Sequence, residues 1–241
     1  MAVAVSDVGF IPFAFPDLPA VRCVFTTRFA GSLSLTNTQG VERDAAIAAR
    51  QALRGTLGVG EWSEVKQVHG DAFIFSPEGT PVDAEPAIEA DGHATGRKNH
   101  ALMVKTADCQ PILLAHPKGY VAAIHAGWRG NVLRFPESAV ARFCLEYRLN
   151  PAEVRAVRGP SLGYAEFVNF HNEWPRAFEP WYDQETRCMD LWALTWRQLC
   201  EAGVKARNIY SLDLCTLSLN ALFFSHRKKD TGRQAALIWT V

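Results

Sequence analysis

Short apolar segments that end in turn residues dominate this sequence and limit the folds open to it. Glycine, proline or polar residues bound each segment, and β-branched or aromatic residues are common inside it, as is typical of β-strands. The predicted strands are residues 21–27, 64–68, 72–75, 101–106, 112–116, 120–125, 154–158 and 234–241. Helical periodicity occurs in residues 43–57, 136–147 and 191–202. Because strands outnumber helices and do not alternate with them, we predict an α/β (α+β) sandwich of mixed β-sheets with flanking helices.

Length and composition restrict the class of protein further. The chain has 241 residues, of which 48% are hydrophobic and 21% charged, and it contains no repeat or low-complexity tract, so we predict one domain over residues 1–241. Lysine plus arginine total 25 and aspartate plus glutamate total 25, so the formal charge is zero and we expect no nucleic-acid partner. No apolar run approaches about 18 residues, so we expect no membrane partner.

The cysteines indicate a compartment. Six of them are scattered singly, without a CxxC pair, in a chain long enough to fold without disulfides. The N-terminal segment has no basic residue before Arg22 and is unlike a signal peptide. These features predict reduced thiols and a cytoplasmic location. The ordinary surface composition favours a monomer.

Three reactive side chains lie where predicted strands end in turns: His69, Cys109 and His125. Strand ends present reactive groups, and neighbouring strands in a sheet can bring such ends together. One histidine and the cysteine could act as base and nucleophile, or all three could bind a metal with an open fourth position. Taken singly, each could also be a packing residue.

Polar residues near these three have alternative roles. Asp108 could orient a histidine, stay ionised beside a metal or cap the following turn. Arg129 offers a fork of donors suited to an anion or carboxylate, or it could pair with Asp108 or another acid. Arg28 could hold a phosphate or lie at the surface. We predict that the basic residues 227–229 form a solvated turn.

Several common catalytic motifs do not occur in the chain. It has no GxxxxGK[ST], no GxGxxG after a strand, no HExxH and no GxSxG. Their absence disfavours P-loop nucleotide hydrolysis, classical dinucleotide redox chemistry and the common hydrolase nucleophiles.

Five motifs together resemble the laccase-domain family, also called multicopper polyphenol oxidoreductases or laccase-like purine nucleoside phosphorylases. The motifs are QVHG, TADCQP, HAGWRG, RGPSLG and FFSHRKKDTGR, and they occur in the family's order from about residue 21 to the end. The resemblance implies one metal, usually zinc, bound by His69, Cys109 and His125. It also implies a single sandwich domain related to the cysteine hydrolases of the cytotoxic-necrotizing-factor type.

The family carries two functional names, and the histidine content favours one of them. A four-copper laccase needs roughly two or three imidazoles per copper, whereas this chain has seven histidines and no HxH pair. One zinc, by contrast, leaves a position for water, whose pKa can fall to about 7. The resemblance therefore implies a zinc-dependent purine nucleoside phosphorylase, with adenosine deamination as a further activity. Its substrates are a purine nucleoside and phosphate, with Arg28 and Arg129 as candidate substrate-binding residues and Asp108 as a candidate catalytic residue beside the triad.

Alternative functions use the same residues. Cys109 and His125 could form a thiol amidohydrolase, and the family label allows a copper-dependent polyphenol oxidoreductase. The sequence also departs from the family pattern: residues 29–40 are an abbreviated loop, Val168 replaces an acid and His226 replaces a tyrosine. These departures imply altered substrate contacts, and a family member that only binds a ligand is a further alternative.

Overall fold

Two β-sheets packed face to face form the framework of the molecule. The computed structural model describes residues 9–241. The strands are β1 Phe10–Phe13, β2 Val21–Thr26, β3 Glu61–Ser63, β4 Phe73–Phe75, β5 Gly92–Thr95, β6 His100–Thr106, β7 Gln110–Ala115, β8 Val121–Ala126, β9 Arg155–Arg158, β10 Tyr164–Glu166, β11 Tyr182–Asp183, β12 Cys188–Asp190, β13 Ile209–Ser211 and β14 Gln234–Thr240. The helices are α1 Gly40–Leu57, α2 Trp128–Val132, α3 Phe135–Tyr147, α4 Phe170–Glu173 and α5 Leu191–Glu201.

The sheets mix parallel and antiparallel pairs. One has five strands in the order β1-β2-β14-β6-β3, and its facing partner has six in the order β13-β9-β7-β8-β5-β4. A small third sheet has the order β10-β12-β11. In the six-stranded sheet, β7 runs antiparallel to both β8 and β9, whereas β4 runs parallel to β5. The predicted class, a mixed-sheet α/β sandwich with flanking helices, is therefore confirmed.

Burial on both faces explains the near-continuous apolar strands. Leu102 and Val104 of β6 pack against Leu113 and Ala115 of β7 in the layer between the large sheets. Helix α1 covers the outer face of the five-stranded sheet, while α3 and α5 cover the outer face of the six-stranded sheet. Strands covered on both sides lose the alternation of polar and apolar residues, and every residue of β7 and β8 is buried.

Local signals explain where the predicted helices begin and end. Helix α1 ends at Gly58, whose φ of 63° is in the left-handed region that glycine adopts readily. Helix α3 has Pro136 in its first turn, where a missing N–H costs no hydrogen bond. In α5, the Asp190 side chain accepts a bond from the backbone N–H of Ala193. None of the helices between residues 9 and 241 combines the length and apolar composition of a membrane span.

The strand predicted at residues 64–68 is wrong. The strand in this region is β3, which runs parallel to β6 and ends at Ser63. Beyond it, the side-chain amide of Gln67 replaces a backbone partner: it accepts from the Lys105 N–H (2.8 Å) and donates to the Lys105 C=O (2.7 Å). The segment thus stays close to β6 without extending the ladder, and it leads directly to His69.

Candidate metal centre

Three separate parts of the chain bring His69, Cys109 and His125 together. His69 lies in the loop between β3 and β4, Cys109 directly precedes β7, and His125 lies on β8, which pairs with β7. One possible ligand atom from each side chain lies within 4.8 Å of the others. The two imidazole rings are 4.9 Å apart at their centroids, with an interplanar angle of 76°. The cluster expected from the strand ends is present.

The cluster opens toward solvent through His69. His125 is buried, Cys109 is half-buried and His69 is exposed. The chain passes close beside the cluster at Gly127, where only glycine fits without a close contact. A Cβ atom at this position would lie 2.9 Å from Cys109 Sγ and 3.0 Å from His69 Cδ2. Any larger residue would therefore press on two of the three possible ligands.

The donor atoms suit a metal ion. Two imidazole nitrogens and one thiolate are ligands that zinc accepts, and three protein ligands are typical of catalytic zinc sites with an open fourth position. Within residues 9–241, this is the only group of three or more histidine, cysteine or acidic side chains whose possible ligand atoms lie this close together. The residues therefore fit a single metal ion.

The ionisation of Cys109 and His125 is coupled. Desolvation raises the pKa of the Cys109 thiol, but His125 and His69 outweigh it and hold that pKa below its usual value. Desolvation lowers the pKa of His125, but the Cys109 sulfur and Asp91 together raise it above its usual value. The environment thus favours the thiolate, which is the form of cysteine that binds metal.

Asp91 is a site residue that the sequence interpretation missed. Its buried carboxylate accepts from His125 Nδ1 (2.7 Å) and from the backbone N–H groups of Val68 (3.2 Å), His69 (3.0 Å) and Gly70 (2.7 Å). Burial opposes ionisation, but His125 and the bonds from the N–H groups of Gly70 and Val68 lower the pKa of Asp91. Asp91 directly precedes the short buried strand β5. The sequence of that strand, GHAT, is too polar to be predicted as a buried strand, so this signal was missed.

Asp108 does not contact a histidine, contrary to one of its predicted roles. Its carboxylate accepts from the Thr216 hydroxyl (2.7 Å), the Ser225 hydroxyl (3.1 Å) and the Arg227 N–H (2.7 Å). Its φ of 83° is left-handed, which is uncommon for a residue with a side chain. Asp108 therefore fixes the turn before Cys109 against the C-terminal loop, which we define as residues 212–233 between β13 and β14. The contact with a histidine is made by Asp91 instead.

Arg28 and Arg227 are tied to this C-terminal loop. The Arg28 guanidinium pairs with Asp230 (2.7 Å) and lies 4.5 Å from the ring centroid of Phe224. Residues 227–229 are exposed, as predicted for a solvated turn, and Arg227 also stacks on Phe167 at 5.0 Å and donates to the C=O of Glu166 (2.9 Å). Asp108 and Arg28 thus both hold this loop, through interleaved residues.

Arg129 remains accessible near the cluster. It follows Gly127 by two residues in α2, and its exposed guanidinium lies 4.5 Å from the ring centroid of Trp128. It forms no ion pair with any acid of residues 9–241, including Asp108. Val168, at the position where the family pattern has an acid, is also exposed. The side chains of Arg129 and Val168 are therefore both accessible to solvent.

The chain is similar to known proteins along most of its length. The family described as multi-copper polyphenol oxidoreductase laccase matches residues 22–241. The chain belongs to this family. A protein named purine nucleoside phosphorylase from Xylella fastidiosa strain Temecula1 is 32% identical to this laccase-family chain over 259 residues. The match covers 93% of this chain and 94% of the relative.

Solved structures share the fold of this laccase-family chain. The protein YfiH of Bacillus licheniformis has a TM-score of 0.80 at 25% identity, covering 96% of this chain and 99% of YfiH. YlmD of Geobacillus stearothermophilus has a TM-score of 0.82 at 24% identity and covers 96% of both chains. The sandwich described above is therefore the fold of these proteins.

Proposed function

We propose that this chain is a zinc-dependent purine nucleoside phosphorylase. The observation that carries the proposal is the convergence of His69, Cys109 and His125 on one point, with their possible ligand atoms within 4.8 Å. It is supported by a relative named purine nucleoside phosphorylase that aligns along 93% of the chain. The substrates are a purine nucleoside and inorganic phosphate.

The reaction transfers a ribosyl group from the base to phosphate. A phosphate oxygen forms a bond to C1′ as the bond from C1′ to the base nitrogen breaks, and the released base takes the bonding electrons and a proton. Zinc on His69, Cys109 and His125 would supply a Lewis acid with an open coordination position. Arg129, exposed beside the cluster, is the cation we assign to the incoming anion. Arg28 binds the C-terminal loop through Asp230 and can contribute positive charge.

Zinc suits the site better than the copper of the family name. A multicopper centre needs roughly two or three imidazoles per copper. His93 is fully buried, His100 contacts Glu61 (3.2 Å) and Ser63 (3.1 Å), and neither belongs to the group of clustered ligand atoms. A mononuclear site of two histidines and one cysteine is the arrangement that the described residues support.

Adenosine deamination is a second reaction that we assign to the same site. Water would replace the amino group at C6, ammonia would leave and inosine would form. All six cysteines are free thiols, which supports a cytoplasmic enzyme, and we propose that it acts as a monomer.

Incubation with adenosine, inosine or guanosine, each with and without phosphate, tests the proposal. We expect free base and ribose 1-phosphate only when phosphate is present, and ammonia plus inosine from adenosine. Cys109→Ser should abolish turnover, whereas Cys200→Ser, a matched change at a half-buried thiol on α5, should leave it unchanged. An absence of turnover on every purine nucleoside would reject the proposal.

A thiol amidohydrolase is the second candidate function. The lowered pKa of Cys109 beside His125 favours it, because a thiolate attacks carbonyl carbon and an imidazolium can protonate the leaving amine. The two candidates differ in metal content, since a coordinated thiolate is a poor free nucleophile. Stoichiometric zinc that is lost in Cys109→Ser would argue against the hydrolase, whereas metal-free protein alkylated by iodoacetamide at Cys109 would favour it.

A further inference from the structure

A single buried carboxylate links the two histidines of the metal centre. We propose that Asp91 is the positioning residue for both of them: it fixes the ring of His125 and the backbone conformation of His69. The inference rests on the metal role proposed for the triad. Asp91 itself is fully buried and is not among the clustered ligands, so it acts through the histidines.

The contact with His125 selects which ring nitrogen can bind metal. Asp91 Oδ1 lies 2.7 Å from His125 Nδ1, and the backbone C=O of Asp91 accepts from the His125 N–H at 2.7 Å. With Nδ1 committed to the carboxylate, Nε2 is the nitrogen left to face Cys109 and the metal. A carboxylate on the second ring nitrogen fixes the tautomer and orientation of a ligating histidine.

The contact with the His69 loop holds an unfavourable backbone conformation. His69 has a φ of 61°, in the left-handed region that residues with a side chain rarely occupy. The N–H groups of Val68, His69 and Gly70 all point at the Asp91 carboxylate, at 3.2, 3.0 and 2.7 Å. Bonds to a charged acceptor are stronger than those between neutral groups, so the carboxylate stabilises this turn and the direction of the His69 side chain.

The division of these bonds between the two oxygens makes asparagine an informative substitution. Oδ1 accepts from His69 N–H and His125 Nδ1, while Oδ2 accepts from Val68 N–H and Gly70 N–H. An amide has one accepting oxygen, and its NH₂ group would face two donors. Asp91→Asn can therefore keep the bonds of one oxygen only. It loses either both direct bonds to the histidines or the bonds from Val68 and Gly70 on either side of His69, and in both cases it loses the negative charge.

Metal affinity tests the inference without any nucleoside. The dissociation constants of Zn²⁺, from chelator competition, and the visible absorption of the Co²⁺-loaded protein are measured for wild type, Asp91→Asn and Asp71→Asn. Asp71 is the matched control, because it lies on the loop of His69, two residues after it, but its carboxylate is half exposed and faces Arg142 at 3.6 Å. We expect Asp91→Asn to bind Zn²⁺ about 10- to 100-fold more weakly, with altered Co²⁺ bands. Asp71→Asn should remain within twofold of wild type.

A zinc affinity within threefold of wild type and an unchanged Co²⁺ spectrum in Asp91→Asn would overturn the inference. If Asp91→Asn fails to fold, Asp91→Glu carries the same test, since it keeps the charge and both oxygens but displaces them by one methylene; unchanged affinity and spectrum there would equally overturn it. A wild type that binds neither Zn²⁺ nor Co²⁺ would reject both this inference and the zinc site. A wild type that binds Zn²⁺ but cleaves no nucleoside would reject the proposed function alone.

Discussion

Gly127→Ala tests whether the space beside the triad is needed for metal binding. Gly127 has φ −77° and ψ 177°, which alanine adopts without strain, so the effect of the added methyl is steric. The methyl would lie 2.9 Å from Cys109 Sγ and 3.0 Å from His69 Cδ2. Because non-bonded carbon contacts are comfortable at about 3.5–4.0 Å, these groups must separate by roughly 0.5–1 Å.

Metal sites tolerate much smaller displacements than this. Ligand distances in functional sites lie within about 0.2 Å of their ideal values, so we expect the Zn²⁺ affinity of Gly127→Ala to fall at least about tenfold, or about 1.4 kcal/mol. Chelator competition measures the affinity, and thermal unfolding of the metal-free protein reports any general damage. Gly130→Ala is the control, since its methyl would lie 3.8 Å from the nearest side-chain atom, on Phe135. Equal affinities in the two variants and the wild type would refute the steric argument.

Three further perturbations have defined outcomes. Glu64→Gln leaves the fully buried Arg50 side chain without its carboxylate, so the free energy of unfolding in urea should fall by about 3–5 kcal/mol; a loss below about 1 kcal/mol would contradict this. Burial, with a smaller contribution from His100, lowers the pKa of His93 to about 3, so only the unfolded chain takes up this proton as pH falls from about 6.5. Stability should therefore be full above pH 6.5 and about 2.7 kcal/mol lower at pH 4.5, and His93→Leu should remove this part of the pH dependence in urea titrations. Phosphorolysis should decline between about pH 6 and 5 as protons displace zinc from the histidines, and excess zinc at about pH 5.5 should restore part of the rate; a decline insensitive to zinc, with metal still bound, would assign the loss to another group.

The framework of the fold could be predicted because its strands are apolar on both faces. Strands such as β7 and β8 lie between the second sheet and the covering helices, so their composition alone reveals them. The segment 64–68 (EVKQV) is more polar than these strands, and it is held by the side chain of Gln67 rather than by a backbone ladder. The sequence could not show this arrangement, because the pairing of the Gln67 amide with the Lys105 backbone depends on where β6 lies in the fold.

The triad could be predicted, but its supporting residues could not. Cys109 directly precedes β7 and His125 lies on β8, and the family motifs around His69, Cys109 and His125 suggested a shared site. Asp91 supports them from 34 residues before His125, through bonds that depend on the pairing of β5 with β8. The sequence directed attention to Asp108, because it is adjacent to Cys109, yet its bonds run to the C-terminal loop.

The dependence of turnover on bound zinc tests whether the metal at His69, Cys109 and His125 is required for phosphorolysis. Metal-free protein is loaded with increasing zinc, bound metal per chain is determined by elemental analysis, and the phosphate-dependent release of base from inosine or adenosine is measured at each step. We expect the rate to rise in proportion to bound zinc and to reach its maximum at about one zinc per chain, because the three ligands surround one ion. Full turnover in the metal-free protein, or none at one zinc per chain, would contradict it.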